Sequence, residues 1–514
     1  MARIRTFCFL IAALATVSGS DSAIAATFAV TRQDDPFPNG CQDTDCSLRE
    51  AVIAASTLTV EANAIVLAAG TYTMALGPLN VLANAKFVGV SRDSTLIEGN
   101  GTDPVFSAVT DQDVEFVNLE IDGHGAHALD TAATSVTNFS DARVATASEI
   151  WALGPTDAYG VLQFYRSDIR SMVNSGNSNA TFFTSTALGL ENSNGTQGAV
   201  IIAATVIDGS LDPTQPSGLT LRNHTDAYIQ DTTIKNTTLG LRLLGTGAES
   251  VELERVNYMQ NGAPVYVDQA ATVAITDSDF SSNTATDSAP GALRINDPGA
   301  DVTVTRSTFS NNNGNGSVGG AVLVESGGSL TLRNSTFSGN SFTVAAAAMN
   351  PRGAAIGFRD DANSTFVSLK HVTIAAPTVG PVGISGTTLG GYGSGASGLF
   401  VTVLNSVLQG SCSLDASAIN SASGNVKTTE DTCQFGAGSN TLNATASSLK
   451  LGSLSLHGGH TRTFLPASTS VAIDTANSAF CLPTDQRSYA RPFGNGCDAG
   501  AVEVSDIVFA DGFE

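Results

Sequence analysis

The chain has 514 residues, a formal net charge of −23 and only 14% charged side chains. A surface of this sign repels nucleic acid phosphates, and no cluster of Lys or Arg interrupts it, so DNA and RNA are excluded as partners. The 51 glycines, together with many Ser, Thr and Asn residues, favour β structure with frequent tight turns over helix. An ordinary globular fold of this length divides into domains, whereas a solenoid can continue as one long unit.

The first residues have the pattern of a secretory signal peptide. Arg3 and Arg5 precede an apolar run over residues 7–17, and Ala23, Ile24 and Ala25 form a small-x-small cleavage signal. We therefore expect residues 1–25 to be removed and the chain to be exported. The apolar run is too short to span a bilayer and no later segment reaches that length, so we expect no transmembrane span.

A helix is predicted next, over residues 47–56. Ser47 and Glu50 fit an S-x-x-E capping box. The apolar positions after Ser47 fall on one helical face, at Leu48, Ala51, Val52 and Ala55. Because the open edges of a strand array invite aggregation, we interpret this helix as a plug on the first coil.

Short strand patterns fill most of the remaining chain. They begin at residues 64–67, 70–74, 86–90, 95–98 and 114–122. Residues 128–200, which contain Trp151, are less regular. Two interpretations of that stretch stay open: an excursion that builds a binding face, or loosely repeating coils with loops.

The strongest internal repeat contains Phe280, Phe309 and Phe337, which lie 29 and 28 residues apart, each followed by Ser and Asn. Such spacing predicts coils of two or three short strands whose apolar side chains stack on the next coil. Asn and Gly are expected at the bends, and stacked Asn side chains can form amide ladders inside. The pattern predicts an all-β chain folded as a right-handed, single-stranded parallel β-helix with a short N-terminal capping helix.

The predicted organisation has five parts. After the signal peptide we place an N-terminal cap at residues 26–56, the β-helix at 57–410, a C-terminal segment at 411–505 and a tail at 506–514. Six cysteines follow the signal peptide, and an even number in an exported chain favours disulfides. Neighbours close the shortest loops, so we favour pairing Cys41 with Cys46, Cys412 with Cys433, and Cys481 with Cys497.

The run CSLREAV at residues 46–52 resembles the N-terminal signature of exported CSLREA-domain proteins, as do residues 27–31 and 70–72. That resemblance covers residues 27–100 and implies a right-handed parallel β-helix, like that of pectate lyases, at a bacterial surface or in its secretions. The C-terminal motifs resemble a choice-of-anchor Q domain. They are HGGHTRT (457–463), AID (472–474), TDQR (484–487), RP (491–492) and CDAGAVE (497–503), with His457 where Asn is typical and Ser488 where Gly is. Residues 507–514 resemble a tail of other exported Gram-negative proteins. These resemblances imply export and surface retention, and none implies a reaction.

Candidate catalytic residues are few. Asp122 lies in a phrase, IDGHG, that resembles pectin-degrading hydrolases, and Asp226 in NHTD resembles their N-T-D element with an inserted residue. A glycosidase needs two or three carboxylates around one sugar bond, and no adjacent Asp pair follows Asp226 in the right context. Asp-Gly is also a common turn, so we favour a structural role for both residues.

A lyase would need a basic residue and a group that neutralises the uronate. We consider a shared face for four arginines of the repeat region, and Arg222 is the candidate basic residue among them. The other three are Arg166, Arg170 and Arg242. Solvated arginines at coil surfaces are the favoured alternative.

No metal site or cofactor is predicted. His457 and His460 lie in a turn of the anchor-like pattern, and no C-x-x-C or paired His spacing accompanies the cysteines. Calcium is a weak alternative at Asp34–Asp35, Asp43 with Asp45, and Asp360–Asp361, none of which has EF-hand spacing.

The leading function from sequence is a non-enzymatic, adhesin-like monomer, secreted by a Gram-negative bacterium or held at its surface, that binds a polysaccharide or another surface through its coil faces. The alternative is a polysaccharide lyase or glycoside hydrolase acting in the same groove. A purely structural role in an envelope layer also stays open. An enzyme predicts convergent charges on one sheet face, whereas a binder predicts rows of Ser, Thr and Asn with exposed aromatic side chains.

Overall fold

A computed structural model describes residues 26–58, 63–108, 112–132, 136–153, 161–175, 179–193, 198–211, 213, 217–222, 225–245, 249–316, 318–343, 352–360, 363–375, 387–393, 398–414, 418–428 and 430–504. It divides into two compact units. Unit 1 comprises residues 1–153 and 160–168, and unit 2 comprises residues 154–159 and 169–514. In each unit short strands stack in parallel along three rows, here named rows 1, 2 and 3 in the order in which the chain visits them.

Unit 1 contains one capping helix, Leu48–Ser56, and three rows of strands. Row 1 consists of Thr27–Val30, Asn63–Leu67, Ala85–Val88, Asp113–Val117, Val136–Ser140 and Val161–Tyr165. Row 2 consists of Gly70–Thr73, Thr95–Glu98, Glu120–Asp122 and the start of Arg143–Leu153. Row 3 consists of Leu79–Val81, Phe106–Ala108, Leu129–Ala132 and the end of Arg143–Leu153.

Unit 2 repeats the arrangement over more coils. Row 1 consists of Asn179–Phe183, Gly198–Ala203, Thr225–Gln230, Glu249–Glu254, Ala271–Thr276, Asp301–Thr305, the starts of Ser329–Ser338 and Thr365–Ala375, Leu399–Leu404 and Ile419–Ser423. Row 2 consists of the start of Thr186–Ser193, Val206–Asp208, Thr233–Lys235, Asn257–Met259, Asp279–Ser281, Thr308–Ser310, the ends of Ser329–Ser338 and Thr365–Ala375, Val407–Leu408, Val426–Thr428 and Thr441–Ala444. Row 3 consists of the end of Thr186–Ser193, Gly218–Arg222, Gly240–Leu244, Val265–Asp268, Leu293–Ile295, Val322–Val324, Ile356–Asp360, Leu389–Gly393 and Cys412–Ser413.

The remaining elements are small. They are the strand Asp168–Ser175, the parallel pair Asn313–Gly314 and Ser341–Phe342, the antiparallel pair Leu451–Ser455 and Thr463–Pro466, the helix Ala446–Leu449, and the 3₁₀ turns Gly209–Leu211 and Ser478–Phe480. Among the helices of the described residues, none has the length and apolarity needed to cross a membrane.

These rows confirm the predicted all-β, right-handed parallel β-helix. The first parallel pair of unit 1 contains Thr27 and the last parallel pair of unit 2 contains Ala444, so paired strands lie beyond both predicted limits, 57 and 410. The pattern predicted over 114–122 is two strands, because Asn118 adopts a left-handed φ of 55° and turns the chain between rows. All described strands within residues 128–200 except Asp168–Ser175 are assigned to the rows, which favours repeating coils for that stretch.

The capping helix begins as the sequence predicts. The Ser47 hydroxyl accepts a hydrogen bond from the backbone N–H of Glu50, and the Glu50 carboxylate accepts one from the N–H of Ser47 at 2.8 Å. Leu48 and Ala51 are fully buried. The Cys41–Cys46 disulfide closes the loop just before the helix, and the other two disulfides join Cys412 to Cys433 and Cys481 to Cys497.

Aromatic side chains stack inside both units. In unit 2, Phe280, Phe309 and Phe337 occupy adjacent strands of row 2 with ring centroids 4.7 Å apart. In unit 1, Phe87, Phe116, Phe139 and Phe164 form a similar inner column along row 1. Each coil buries its apolar residues only against the next coil, which makes the stack cooperative.

An asparagine ladder runs beside the inner column of unit 2. Asn261, Asn283, Asn312 and Asn340 lie on successive coils, and each of the first three donates its side-chain amide to the side-chain oxygen of the next, at 2.8–3.1 Å. The same amides also donate to backbone carbonyls, such as that of Phe280 from Asn312 at 2.9 Å. The ladder therefore satisfies backbone groups that the bend after row 2 would otherwise leave unpaired in the interior.

The bend between rows 1 and 2 has the expected Asn on some coils, at Asn118, Asn334 and Asn405, and charged residues on others. It uses Asp231, Arg255, Asp277 and Arg306, all with positive φ, on four successive coils of unit 2. Arg255 binds Asp231, and Arg306 binds Asp277, with two hydrogen bonds each. Paired charges from neighbouring coils thus hold a left-handed conformation that is costly for residues other than Gly.

A C-terminal segment, residues 457–503, lies along the outer side of row 2 in unit 2. Thr308, Thr336 and Thr373 are register neighbours on that row. Their hydroxyls contact, respectively, the carbonyl of Arg462, the side chain of Gln486 and the backbone N–H of Ala501 at 2.6–2.9 Å. The motifs HGGHTRT, TDQR and CDAGAVE therefore act here as docking contacts.

His371 lies where the C-terminal segment contacts row 2, and its burial makes the stability of the fold depend on pH. Its Nε2 accepts hydrogen bonds from Asn405 at 3.1 Å and from the N–H of Leu482 at 3.4 Å. Burial, reinforced by Arg491, lowers the pKa of His371 to about 2. The unfolded chain binds this proton below about pH 6.5 and the folded chain does not, so acidification through that window favours unfolding.

We expect the free energy of unfolding of the wild type to fall by about 2 kcal/mol more than that of His371→Asn between about pH 7.5 and about pH 5. Asn tolerates the positive φ of 53° at this position. Burial also raises the pKa of Asp498 to about 6, so protonation of Asp498 on acidification stabilises the folded chain and opposes the effect of His371. Asp498 is present in both proteins, so the comparison with the variant isolates the contribution of His371. Urea unfolding at both pH values measures the difference, and parallel losses in both proteins would contradict the prediction.

Candidate functional site

The predicted catalytic residues do not form one site. Asp122 belongs to row 2 of unit 1, where it pairs in register with Glu98 and accepts a hydrogen bond from the N–H of His124 at 2.8 Å. In unit 2, Asp226 is on row 1 and accepts from the N–H of Ser250, whereas Arg222 is on row 3. Asp226 and Arg222 thus lie in different rows, which gives no support to a carboxylate and base around one bond.

The other arginines considered for a lyase are distributed in the same way. Arg166 belongs to unit 1, binds Asp141 and lies 4.5 Å from the ring centroid of Tyr165. Arg242 is on row 3 of unit 2, near Arg222. The side chain of Arg170 lies outside the described residues.

Four of the candidate metal ligands, Asp34, Asp35, Asp45 and His457, are engaged by other partners. Asp34 and Asp45 bind Arg32, and Asp35 binds Arg49. Both ring nitrogens of His457 contact hydroxyl groups, those of Ser455 and Thr463. Asp361 and the side chain of Asp360 lie outside the described residues. Within the part of the chain that the structure describes, no three His, Cys, Asp or Glu side chains converge as a metal site would require.

One cluster of charges on row 3 was missed by the sequence analysis. Glu325 is 2% exposed and accepts hydrogen bonds from Arg294 at 2.6 Å and from Arg359 at 2.9 Å, one on each carboxylate oxygen. The guanidinium of Arg294 also lies 5.7 Å from the ring centroid of Tyr266. A buried carboxylate held by two guanidinium groups is a structural triad, and it leaves neither oxygen free to exchange protons with a ligand.

A second missed feature is a groove on the outer face of row 1 in unit 2. Phe366 and Phe400 are register neighbours, 50% and 39% exposed, and their rings stack with centroids 5.1 Å apart and planes within 10°. Because strand side chains alternate between faces, Val367 points into the core while Phe366 stands on the outside. The two rings form one wall of the groove.

The floor of the groove is polar. Thr331, Ser368 and Thr402 are register neighbours two positions along the strands from the aromatic column. The groove has a volume of about 170 Å³ and is lined by Ser329, Leu330, Thr331, Phe366, Val367, Ser368, Phe400, Thr402 and Asn420. Contiguous exposed apolar surface often marks a binding site, and a polar floor beside the two stacked rings suits a ligand with both apolar and hydroxyl surfaces.

Sequence reasoning could have found this groove from one signal. Phe366 and Phe400 each stand one position before an alternating apolar pattern, Val367-Leu369 and Val401-Val403, which places them on the opposite face. The 34-residue spacing between the phenylalanines differs from the spacing of about 28 used to recognise the repeat, because the coils vary in length.

The comparison with family models agrees with the strand rows on the fold. A family model described as a right-handed β-helix region matches residues 187–368. No curated protein matches the chain. Among solved structures, the crystal structure of pectate lyase Pel9A is similar over 95% of this chain and 98% of that chain, with 12% identity and a TM-score of 0.22. A TM-score this low supports no conclusion about activity. Over residues 187–368 the chain is therefore similar to right-handed β-helix proteins, and its function must be argued from its own surface.

Proposed function

We propose that this protein is exported by a Gram-negative bacterium, acts at the cell surface or in secretions without catalysing a reaction, and binds a glycan in the row 1 groove. The observation that carries the proposal is the exposed, stacked pair Phe366 and Phe400 above a floor of hydroxyl groups. The signal-like residues 1–25 and the resemblance of residues 27–100 to exported CSLREA-domain proteins support the location.

The chemistry of the groove matches a sugar chain. The C–H face of a pyranose ring is apolar and packs against aromatic carbon, while its hydroxyl groups exchange hydrogen bonds with Ser and Thr. Solenoid folds present extended surfaces, so an extended chain can lie along the outer face of row 1 without a change in the fold. Neither Thr331 nor Ser368 is charged, so the floor offers binding contacts without a general acid or base.

The proposal predicts that Phe366→Thr weakens glycan binding by at least about tenfold, because aromatic anchors supply most of the binding energy of such surfaces. Thr keeps the strand propensity and replaces a side chain that is half exposed, so we expect the fold to persist. Retention of the mature protein on a panel of neutral and acidic polysaccharides, with and without Ca²⁺, measures the effect.

The matched control is Phe37→Thr, which removes an equally large aromatic side chain that is 83% exposed in unit 1. Equal retention of wild type and Phe366→Thr on every bound glycan would overturn the proposal. New reducing ends or unsaturated sugar ends during incubation would instead favour the enzyme, and variants of Asp122, Asp226 and Arg222 would then be the next step. Absence of both cleavage and retention would favour a structural envelope role.

A further inference from the structure

Two cationic side chains lie on the outer face of row 1 in unit 2, beyond one end of the groove. Arg333 and Lys370 are register neighbours on row 1, each four residues after Ser329 and Phe366, respectively. A strand advances about 3.3 Å per residue, so the cations lie about 13 Å from the aromatic pair along the same outer face. The hydroxyl floor of Thr331, Ser368 and Thr402 lies between the two sets of side chains.

Neither cation has an anionic partner among the residues that the structure describes. Within the described residues, neither Arg333 nor Lys370 has a carboxylate oxygen within 4.0 Å, and their next neighbours in register are Thr305 and Leu404. Burial, reinforced by the charge of Arg333, lowers the pKa of Lys370. Like charges placed directly opposite across strands are destabilising, so this arrangement costs free energy in the free protein.

Two other arginines near this edge of row 1 are neutralised by carboxylates of the protein itself. Arg255 and Arg306, at the adjoining bend of other coils, are each bound by a carboxylate from the preceding coil, Asp231 and Asp277. The chain has 47 acidic residues against 24 basic ones, and yet Arg333 and Lys370 lie next to each other on an open face without a carboxylate partner among the described residues. Charge complementarity indicates that the missing anion belongs to a ligand.

We propose that the groove takes an acidic glycan, a polysaccharide containing uronic acid, with a sugar ring against Phe366 and Phe400 and the carboxylate of a sugar further along the chain between Arg333 and Lys370. This inference rests on the proposed function and specifies its ligand class. The planar guanidinium of Arg333 matches a carboxylate with two parallel hydrogen bonds, while the ammonium of Lys370 adds a compact charge. Long-range repulsion from the acidic protein is screened beyond about 8 Å at physiological salt, so the local pair decides binding.

The test compares one uronic acid polysaccharide with its carboxyl-reduced form, which has the same linkage and no charge. We expect wild-type protein to bind the acidic form at least about tenfold more tightly, and the double variant Arg333→Gln/Lys370→Gln to lose that preference. The third ligand is a polysaccharide that carries sulfate esters and no carboxylates. If the protein binds this ligand more tightly than the uronic acid polysaccharide, the uronate assignment is overturned. The double variant Lys86→Gln/Arg92→Gln removes the same net charge from unit 1 and should keep the preference.

The outcomes separate the two proposals. Equal binding of acidic and reduced glycan, with loss of both in Phe366→Thr, would overturn the acidic ligand and leave the glycan-binding function in place. Retained preference in the Arg333→Gln/Lys370→Gln variant would overturn the assignment of these two cations. Binding of none of the glycans by wild type would overturn both proposals together.

Discussion

Amide exchange over residues 485–503 is expected to become at least about 100-fold faster when Glu503 is replaced by Gln, because removing one member of a buried ion pair costs about 3 kcal/mol or more. Glu503 and Arg491 are 1% and 0% exposed at their side chains and lie 2.7 Å apart. The same carboxylate also accepts hydrogen bonds from the N–H groups of Phe493 and Asp498. The variant leaves the Arg491 charge buried without its counter-ion, and burial already lowers the pKa of that arginine.

Hydrogen exchange is the suitable measurement because it reports local opening of one segment rather than unfolding of the whole chain. Asp231→Asn serves as the matched control, since it also removes a paired carboxylate in unit 2, but one that is 48% exposed. Half-exposed ion pairs contribute about 1 kcal/mol or less, so residues 485–503 should exchange as in the wild type. Unchanged protection in Glu503→Gln would show that the hydrogen bonds to row 2, and not the ion pair, hold the segment.

Replacing Asn312 with Ala is expected to lower the free energy of unfolding of unit 2 by about 2–5 kcal/mol, through the loss of partners for buried polar groups. The Asn312 amide donates to the carbonyl of Phe280, and its oxygen accepts from the side-chain amide of Asn283 at 2.8 Å. Asn312 is fully buried, so water does not replace these bonds. Both neighbours in the ladder lose a contact at once.

Asn315→Ala is the control for this prediction. Asn315 lies three positions further along and donates to the carbonyl of Thr286 at 3.0 Å, in an exposed hydrogen bond. We expect a loss below about 1 kcal/mol there, because solvent can satisfy the freed carbonyl. Urea unfolding of both variants measures the change in the free energy of unfolding. Comparable decreases in the two variants would show that the ladder contributes no more than an ordinary surface hydrogen bond.

The outer faces of rows 1 and 2 in unit 2 differ in what covers them. Row 2 is occupied by the chain itself, since Gln486 and Arg462 contact Thr308 and the adjoining coils. The row 1 groove at Phe366 and Phe400 has no such cover among the described residues. An exposed aromatic pair beside an occupied face is consistent with the proposal that row 1, rather than row 2, meets a ligand.

Local sequence patterns determined most of the fold. The spacing of Phe280, Phe309 and Phe337, the alternation of apolar residues and the S-x-x-E box at Ser47 each predict structure over a few residues, and parallel stacking repeats that structure from coil to coil. Such patterns are visible in sequence because each coil carries its own strand and turn signals. The first paired residue of unit 1, Thr27, and the last of unit 2, Ala444, were less visible because the terminal coils depart from the repeat.

The candidate site depended on tertiary structure. Phe366 and Phe400 lie 34 residues apart, and Arg333 lies 37 residues before Lys370. Only the register between coils of unequal length makes each pair neighbours on one face. The same register separates Asp226 from Arg222, which are close in sequence but occupy different rows. The sequence by itself determined which residues form strands and which sides of those strands face the core, because these are local properties of alternation. Which outward side chains meet was decided by the lengths of the loops between strands, a property that exists only once the coils are stacked.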